Sequence, residues 1–349
     1  MATILITGGC GYIGSHVARA FKRANPDNFI VVVDRERREH TLKDVDEFVQ
    51  CDFADEKGIM TLLTFNPGVI VHCAGTSLVG PSMEDPAEYY SNNVIKTLIM
   101  LNVIKDMPTK PIILFSSSAS VYGDPDTVPL TEKHELRPIS PYGNTKLAIE
   151  HILADYDRAY QIPSVCFRYF NAAGAWIPES DLGQERGATH IIARALESNL
   201  AGHYFIINGN DYPTKDGTCV RDYIHVQDLA EAHLLAVEYI LKQPGAYRFN
   251  LGTEKGISNW EIACYVKHQY GLINTKFGPR RAGDPAELIA DASLAKQELG
   301  WKPKYSDIGK IIQSAHDWYC HIGGTFHPDY LHLNNEIGYN VAGNTEETK

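Results

Sequence analysis

The run from Ile4 to Gly14, ILITGGCGYIG, leaves few options to a chain that carries it. A short β-forming stretch ends in a turn that holds Gly8, Gly11 and Gly14 at intervals of three, and a helical pattern follows. Gly8 frees the turn, Gly11 lets an anion approach the main-chain amides, and Gly14 lets the helix sit close on its strand. Asp34 then closes a second β-rich run 20 positions after Gly14. A carboxylate at that distance accepts the hydroxyls of an adenosine ribose, so the set predicts a dinucleotide site rather than an ordinary strand-turn-helix. Asp34 favours NAD, because it repels a 2′-phosphate, while Arg35 beside it leaves a route to NADP.

The rest of the first half repeats this alternation. Thr3 to Thr7, Phe29 to Val33, Val69 to Cys73, Pro111 to Ser116 and Ser164 to Arg168 read as strands, and Pro86 to Met107 and Tyr142 to Tyr160 as long helices. The expected fold class is α/β, a Rossmann-type doubly wound parallel sheet with a smaller C-terminal α+β substrate lobe. Residues 1–170 form the dinucleotide-binding domain, with a strand and helix near 221–242 returning to its sheet. Residues 171–325 form mainly the substrate lobe, where regularity gives way to Gly-, Pro- and Asp-rich ligand-gripping loops, and 326–349 form a C-terminal tail. Asp52 follows another short strand and has two readings, a hydrogen-bond partner for adenine or a solvated turn residue.

With 44% hydrophobic residues in 349, the chain has ample material for a core. Its seven cysteines are scattered without C-x-x-C spacing, so they read as reduced thiols, and no metal site is expected. No apolar run approaches a membrane span and the start lacks a leader pattern, so a cytoplasmic protein with no membrane partner is expected. A formal charge of −11 gives no basic field for nucleic acid.

Tyr142 and Lys146 stand four apart at a helix start and therefore share one face. A free phenol titrates near 10, so taking a proton at neutral pH requires phenolate stabilisation, which a lysine ammonium and a positive nicotinamide ring supply. The serine run Phe115 to Gly123, FSSSASVYG, ends a strand at the sheet's carboxyl edge and presents Ser118 to the same crevice. Singly, each is a common accident; together and in this order they describe a redox site acting on a hydroxyl-bearing carbon.

These three elements resemble the extended short-chain dehydrogenase/reductase superfamily over roughly residues 3 to 320. Arg168 to Gly174 (RYFNAAG), Asn210 to Val226 and Arg280 to Asp284 (RRAGD) are similar to the UDP-galactose 4-epimerases within it. The resemblance implies NAD as cofactor, a UDP-hexose as substrate and a homodimer formed by helices around Leu98 and Leu153, faces that otherwise belong to the chain's own core. It implies Tyr142, Lys146 and Ser118 as the catalytic set. Gly8, Gly11, Tyr12, Ile13, Gly14, Asp34, Asp52, Phe53, Cys73, Ala74, Gly75, Asn92, Ser116 and Phe170 join Tyr142 and Lys146 around the cofactor. Ser118, Tyr142, Asn171, His190, Arg221, Arg281, Asp284 and Leu288 hold the UDP-sugar, the arginines on its diphosphate and Asp284 on the uridine ribose. From the residues alone, a surface pair is the lesser alternative for Arg280 and Arg281.

Rival chemistries are weighed on the same residues. A dehydratase or decarboxylase of this superfamily needs an acid just after the active-site serine, and Ala119 and Ser120 stand there. UDP-N-acetylhexosamines remain an alternative substrate, since Leu288 is intermediate in size where related epimerases gate the sugar pocket. A cofactor-sensing protein without catalysis would need only the glycine turn. Two departures from the family pattern stand out: Ser77 where some epimerases have lysine, and Lys96 where glycine is common.

Overall fold

The structure, a computed structural model, describes residues 2–184, 190–271, 273–281 and 283–322. The expected tail, 326–349, lies outside them. The chain begins β1 Thr3–Thr7, α1 Tyr12–Ala24, β2 Phe29–Asp34, β3 Glu47–Gln50, α2 Glu56–Phe65 and β4 Val69–His72. Next come α3 Val79–Glu84, α4 Pro86–Tyr89, a π-helical stretch Tyr90–Ile95, α5 Lys96–Ile104, β5 Ile112–Ser118, α6 Pro141–Tyr160 and β6 Ser164–Tyr169. The second half continues with β7 Asn171–Ala173, α7 Ile191–Ala201, β8 Tyr204–Asn208, β9 Val220–His225, α8 Val226–Lys242 and β10 Ala246–Leu251. It closes with β11 Gly256–Ser258, α9 Asn259–Tyr270, β12 Asn274–Gly278, β13 Glu287–Leu288, α10 Ser293–Glu298 and α11 Ile308–His321.

Seven strands form one parallel sheet in the order β10-β6-β5-β4-β1-β2-β3. Such a sheet is buried on both faces, which is why β1, β2 and β4 read as nearly unbroken apolar runs. Ile4, Ile6, Ile30 and Val32 pack with Val17 and Phe21 of α1 and Leu229 of α8. Leu5, Val31 and Ile70 face the other way, onto Leu62 of α2, Leu101 of α5 and Ile149 of α6. The doubly wound architecture is as the alternation predicts. No described helix is long and apolar enough to cross a membrane, and the seven cysteines are unpaired.

Three expectations need revision. Val220–His225 does not return to the large sheet; it pairs with β7, β11 and β13 in a separate small one, and the strand that completes the large sheet is β10. Its sequence, AYRFNL, hid it, because Arg248 and Asn250 interrupt the apolar pattern. Arg248 reaches the backbone of Glu150, and Asn250 donates to Leu130 O. The second half is also more regular than its loops suggest. Ala195, Leu196, Phe205, Ile262, Ile311 and Trp318 build a core of their own there. Third, Leu153 is 2% exposed and belongs to the core beneath α6, so it presents no face to a second subunit.

The long helix expected over Pro86 to Met107 is continuous but changes pitch at Tyr90–Ile95. Buried Asn93 lies in that wider turn, accepting from Thr76 N at 2.8 Å and donating to Thr145 Oγ1 at 3.0 Å. A π-turn that re-aims a buried polar group is the usual company of a ligand site.

Candidate functional site

A cleft of about 730 Å3 runs along the carboxyl ends of the large sheet and out to the second lobe. The parallel register brings Thr7, Asp34, His72, Ser118 and Tyr169 to that edge, each from a different strand. Every residue expected at the cofactor or the sugar nucleotide lines this cleft, from Gly8 to Leu288.

At one end the turn after β1 enters α1, whose first residues no side chain caps. Gly8 has φ +69°, a conformation costly for any other residue, and a Cβ there would lie 2.7 Å from Ala74 N. At Gly14 a Cβ would collide with the Gly8 carbonyl. The α1 amides thus open toward the cleft as an anion-binding end requires. Asp34 is held by Cys10 N at 3.0 Å and Glu36 N at 3.1 Å, which fixes its carboxylate beside the turn. Asp52 is no solvated turn residue: Lys96 Nζ donates to its Oδ2 at 2.6 Å and Ala54 N to its Oδ1 at 3.0 Å. Burial pushes the Asp52 carboxyl up, but the Lys96 ammonium, the Ala54 N–H and the Arg35 charge together outweigh it and hold the group below its ordinary range.

The middle of the cleft carries the reactive groups. Ser140 caps α6, accepting from Gly143 N at 3.1 Å, and Pro141 opens its first turn. Tyr142 and Lys146 therefore emerge side by side, the ammonium 5.7 Å from the centre of the phenol ring. Lys146 is 5% exposed and donates to Ser116 O at 2.7 Å, and burial pushes it down to about 8. It is thus still charged at neutral pH. The Tyr142 phenol is pushed up to about 12, chiefly by burial, with a hydrogen bond from Ser118 drawing it back. Ser118 Oγ accepts from Ser120 N at 3.2 Å and from Ser120 Oγ at 3.0 Å. With both lone pairs taken, its own proton is directed to the Tyr142 oxygen, the polarity that favours a phenolate. Below them, Glu150 of α6 takes Ser117 Oγ at 2.5 Å and Arg168 NH2 at 2.7 Å in a fully buried set, pinning the helix to the serine strand.

The far end belongs to the second lobe. Register sets Leu288 of β13 against Arg221 of β9, and Asn171 of β7 against Tyr223. Asp284 accepts from Arg221 at 3.3 Å and from Arg281 at 3.0 Å, so a carboxylate and two guanidiniums form one group. His190 is the residue before α7, whose amino end opens onto the same space. Arg280 separates from its neighbour: it pairs with Asp211 at 2.6 Å and lies over the Tyr212 ring. Of the two arginines, Arg281 alone lines the cleft.

Sequence reasoning missed Tyr169, Arg194 and Asn208, which also line it, and assigned no role to Lys96, which lines it too. Arg194 had a local signal, standing one helical turn after His190. Among the described residues, no cluster of three metal-ligating side chains occurs.

The NAD dependent epimerase/dehydratase family matches residues 4–252. A UDP-glucose 4-epimerase of Halalkalibacterium halodurans is 40% identical over 322 residues, 90% of this chain and 95% of that one. The structure of UDP-glucose 4-epimerase from Brucella ovis in complex with NAD matches with a TM-score of 0.84 at 40% identity, covering 91% of this chain and 98% of that one. The enzyme of Bifidobacterium longum in complex with NAD+ and UDP gives a TM-score of 0.84 at 34% identity, over 93% and 100% of the two chains.

Proposed function

This chain belongs to the NAD dependent epimerase/dehydratase family, and on that premise we propose that it is a UDP-glucose 4-epimerase, interconverting UDP-glucose and UDP-galactose with NAD as cofactor. The observation that carries the reading is the single cleft in which a glycine turn with Asp34, a phenol beside a buried ammonium, and a two-arginine anion site follow one another.

The residues present fit the cofactor. The uncapped start of α1 receives a pyrophosphate, Asp34 the adenosine ribose, and Cys73, Ser116, Lys146 and Phe170 line the space next to Tyr142. When bound, NAD would supply a hydride acceptor for sugar C4 that is regenerated within the cycle and, in its oxidised form, a positive ring beside the phenol. The chain does the rest. Tyr142 takes the proton of the 4-hydroxyl and returns it, Ser118 donates to the phenol oxygen, and Lys146 keeps a positive charge beside the ring. Arg221 and Arg281 exchange their hold on Asp284 for the diphosphate, and the freed carboxylate meets the uridine ribose. Anchoring the nucleotide half in the second lobe leaves the hexose free to turn and present either face to Tyr142.

Supplying the NAD-loaded protein with UDP-galactose tests this. Chromatography should show UDP-glucose forming, while absorbance of reduced nicotinamide stays flat. A steady rise of that absorbance would mean a dehydrogenase, and an absence of product with UDP-hexoses but not with UDP-N-acetylhexosamines would move the substrate to the acetylated sugars.

A cytoplasmic homodimer completes the proposal. Unpaired thiols at all seven cysteines suit a reducing compartment. Ile95 and Ile99 stand one turn apart at the start of α5, 54% and 42% exposed, and Tyr156 of α6 ties to Asn102 beside them. Apolar side chains left in water at that spacing suit a helix pair from a second copy. Sedimentation should give a dimer that Ile95→Glu with Ile99→Glu converts to monomer; an unchanged dimer would place the interface elsewhere.

A further inference from the structure

Lys96 reaches out of its own helix to a distant segment. It begins α5, and its ammonium donates to Asp52 Oδ2 at 2.6 Å and to Asn92 Oδ1 at 2.8 Å. Asp52 is 44 residues away, in the turn between β3 and α2. The sheet order places β1 and β2 between β4, which leads to Lys96, and β3, which leads to Asp52. The ion pair therefore brackets the two strand ends that carry the glycine turn and Asp34. Lys96, Asp52 and Asn92 all line the cleft. The lysine and aspartate side chains are 26% and 21% exposed, open enough to part and sheltered enough to hold. An ammonium has three N–H groups, and Asp52 and Asn92 take two of them, so the third is available to a ligand beneath.

We propose that Lys96 is a cofactor-retaining residue, whose ion pair with Asp52 closes the adenosine end of the cleft over bound NAD and slows its release. The inference rests on the reading of this cleft as an NAD site. It also suits the chemistry: a cofactor that ends each cycle unchanged has no need to leave, so slow release costs no turnover.

The test is timed desalting of the NAD-loaded protein, with retained NAD quantified by chromatography. Lys96→Met should lose NAD roughly two- to fivefold faster than wild type at low ionic strength. Raising the salt should bring the wild-type rate up toward that of the variant, because a partly exposed pair is screened. Lys96→Arg should restore slow release. Equal release rates for Lys96→Met and wild type at low salt, or a gap that high salt leaves intact, would overturn the clasp. A wild-type protein that neither retains NAD nor turns over UDP-galactose would instead remove the reading beneath it.

Discussion

Tyr142→Phe is expected to lower kcat by about two to four orders of magnitude, the usual worth of a positioned proton acceptor. The Kd for the sugar nucleotide should stay near the wild-type value. The substitution removes one oxygen and leaves the ring, which packs edge-on against Tyr89 at 6.4 Å, so the helix start is undisturbed. The proposed anchors of the nucleotide, Arg221, Arg281 and Asp284, form their own ion-paired group in the other lobe. A loss confined to kcat identifies a contact made only during reaction. The size of the loss follows from how much is invested in that oxygen. Burial, only partly offset by the Ser118 hydrogen bond, leaves the phenol up at about 12, and the Lys146 ammonium stands 5.7 Å from the ring. None of these has a purpose without the proton. A phenylalanine variant that keeps a tenth or more of wild-type turnover would assign the base elsewhere.

What was legible in the sequence was local in the chain. The glycine turn and the Tyr142, Lys146 pair are coded by spacings of three and four, and helix and turn geometry convert those spacings directly into proximity. Strands β1, β2 and β4 were legible because a parallel sheet buries both faces and so leaves an apolar run. β10 was not, since Arg248 and Asn250 satisfy partners from α6 and from the Leu130 segment that no local pattern announces. Lys96 was visible only as an oddity. Its meaning lies in Asp52, 44 positions back, and such a pairing exists only once the sheet order is known. The face of Leu153 kept two readings, second subunit or own core, because an apolar helical stripe has the same spacing whichever covers it, and the structure gives the core. The family-derived residues of the second lobe converge on the same cleft although the lobe's strands are short, because β9, which carries Arg221, pairs with both the strand of Leu288 and that of Asn171.

In acid, the ligand-free protein is expected to lose stability at about 4 kcal/mol per pH unit once the pH falls below about 6.5, which is enough to unfold an ordinary domain within about two units. Three buried histidines, His72, His225 and His233, each have one ring nitrogen committed as an acceptor. His72 Nδ1 takes the Thr7 hydroxyl at 2.7 Å, because its Nε2 must donate to Thr97, whose own proton goes to Asn93 O. His225 Nδ1 takes Gln227 N–H at 3.1 Å, and His233 donates to Leu229 O and so accepts from Tyr169. A second ring proton would set His225 Nδ1 against the Gln227 N–H and force the Thr7 and Tyr169 hydroxyls to reverse, all in sites closed to solvent, and burial pushes the three down to about 3, 3 and 4. His16 is left out of the count, since both of its nitrogens face carbonyl oxygens. Unfolded imidazoles take protons near the ordinary value of about 6.5, whereas the folded ones refuse them until far lower pH. Between those limits the unfolded chain binds three more protons, so stability falls as pH falls; above them neither state gains any and the contribution is constant. Carboxylates do not explain a loss in this window. Asp181, for example, is raised by burial but held down to about 2 by Arg19 and Lys43, so its ion pairs survive to much lower pH. Urea unfolding at half-unit steps between about pH 7 and pH 5 reads the slope. His225→Gln, which keeps a donor and an acceptor but cannot titrate, should flatten it by about 1.4 kcal/mol per unit. A stability that stays level across that window, or a slope that the glutamine leaves untouched, would show that these rings take up protons without unfolding the chain.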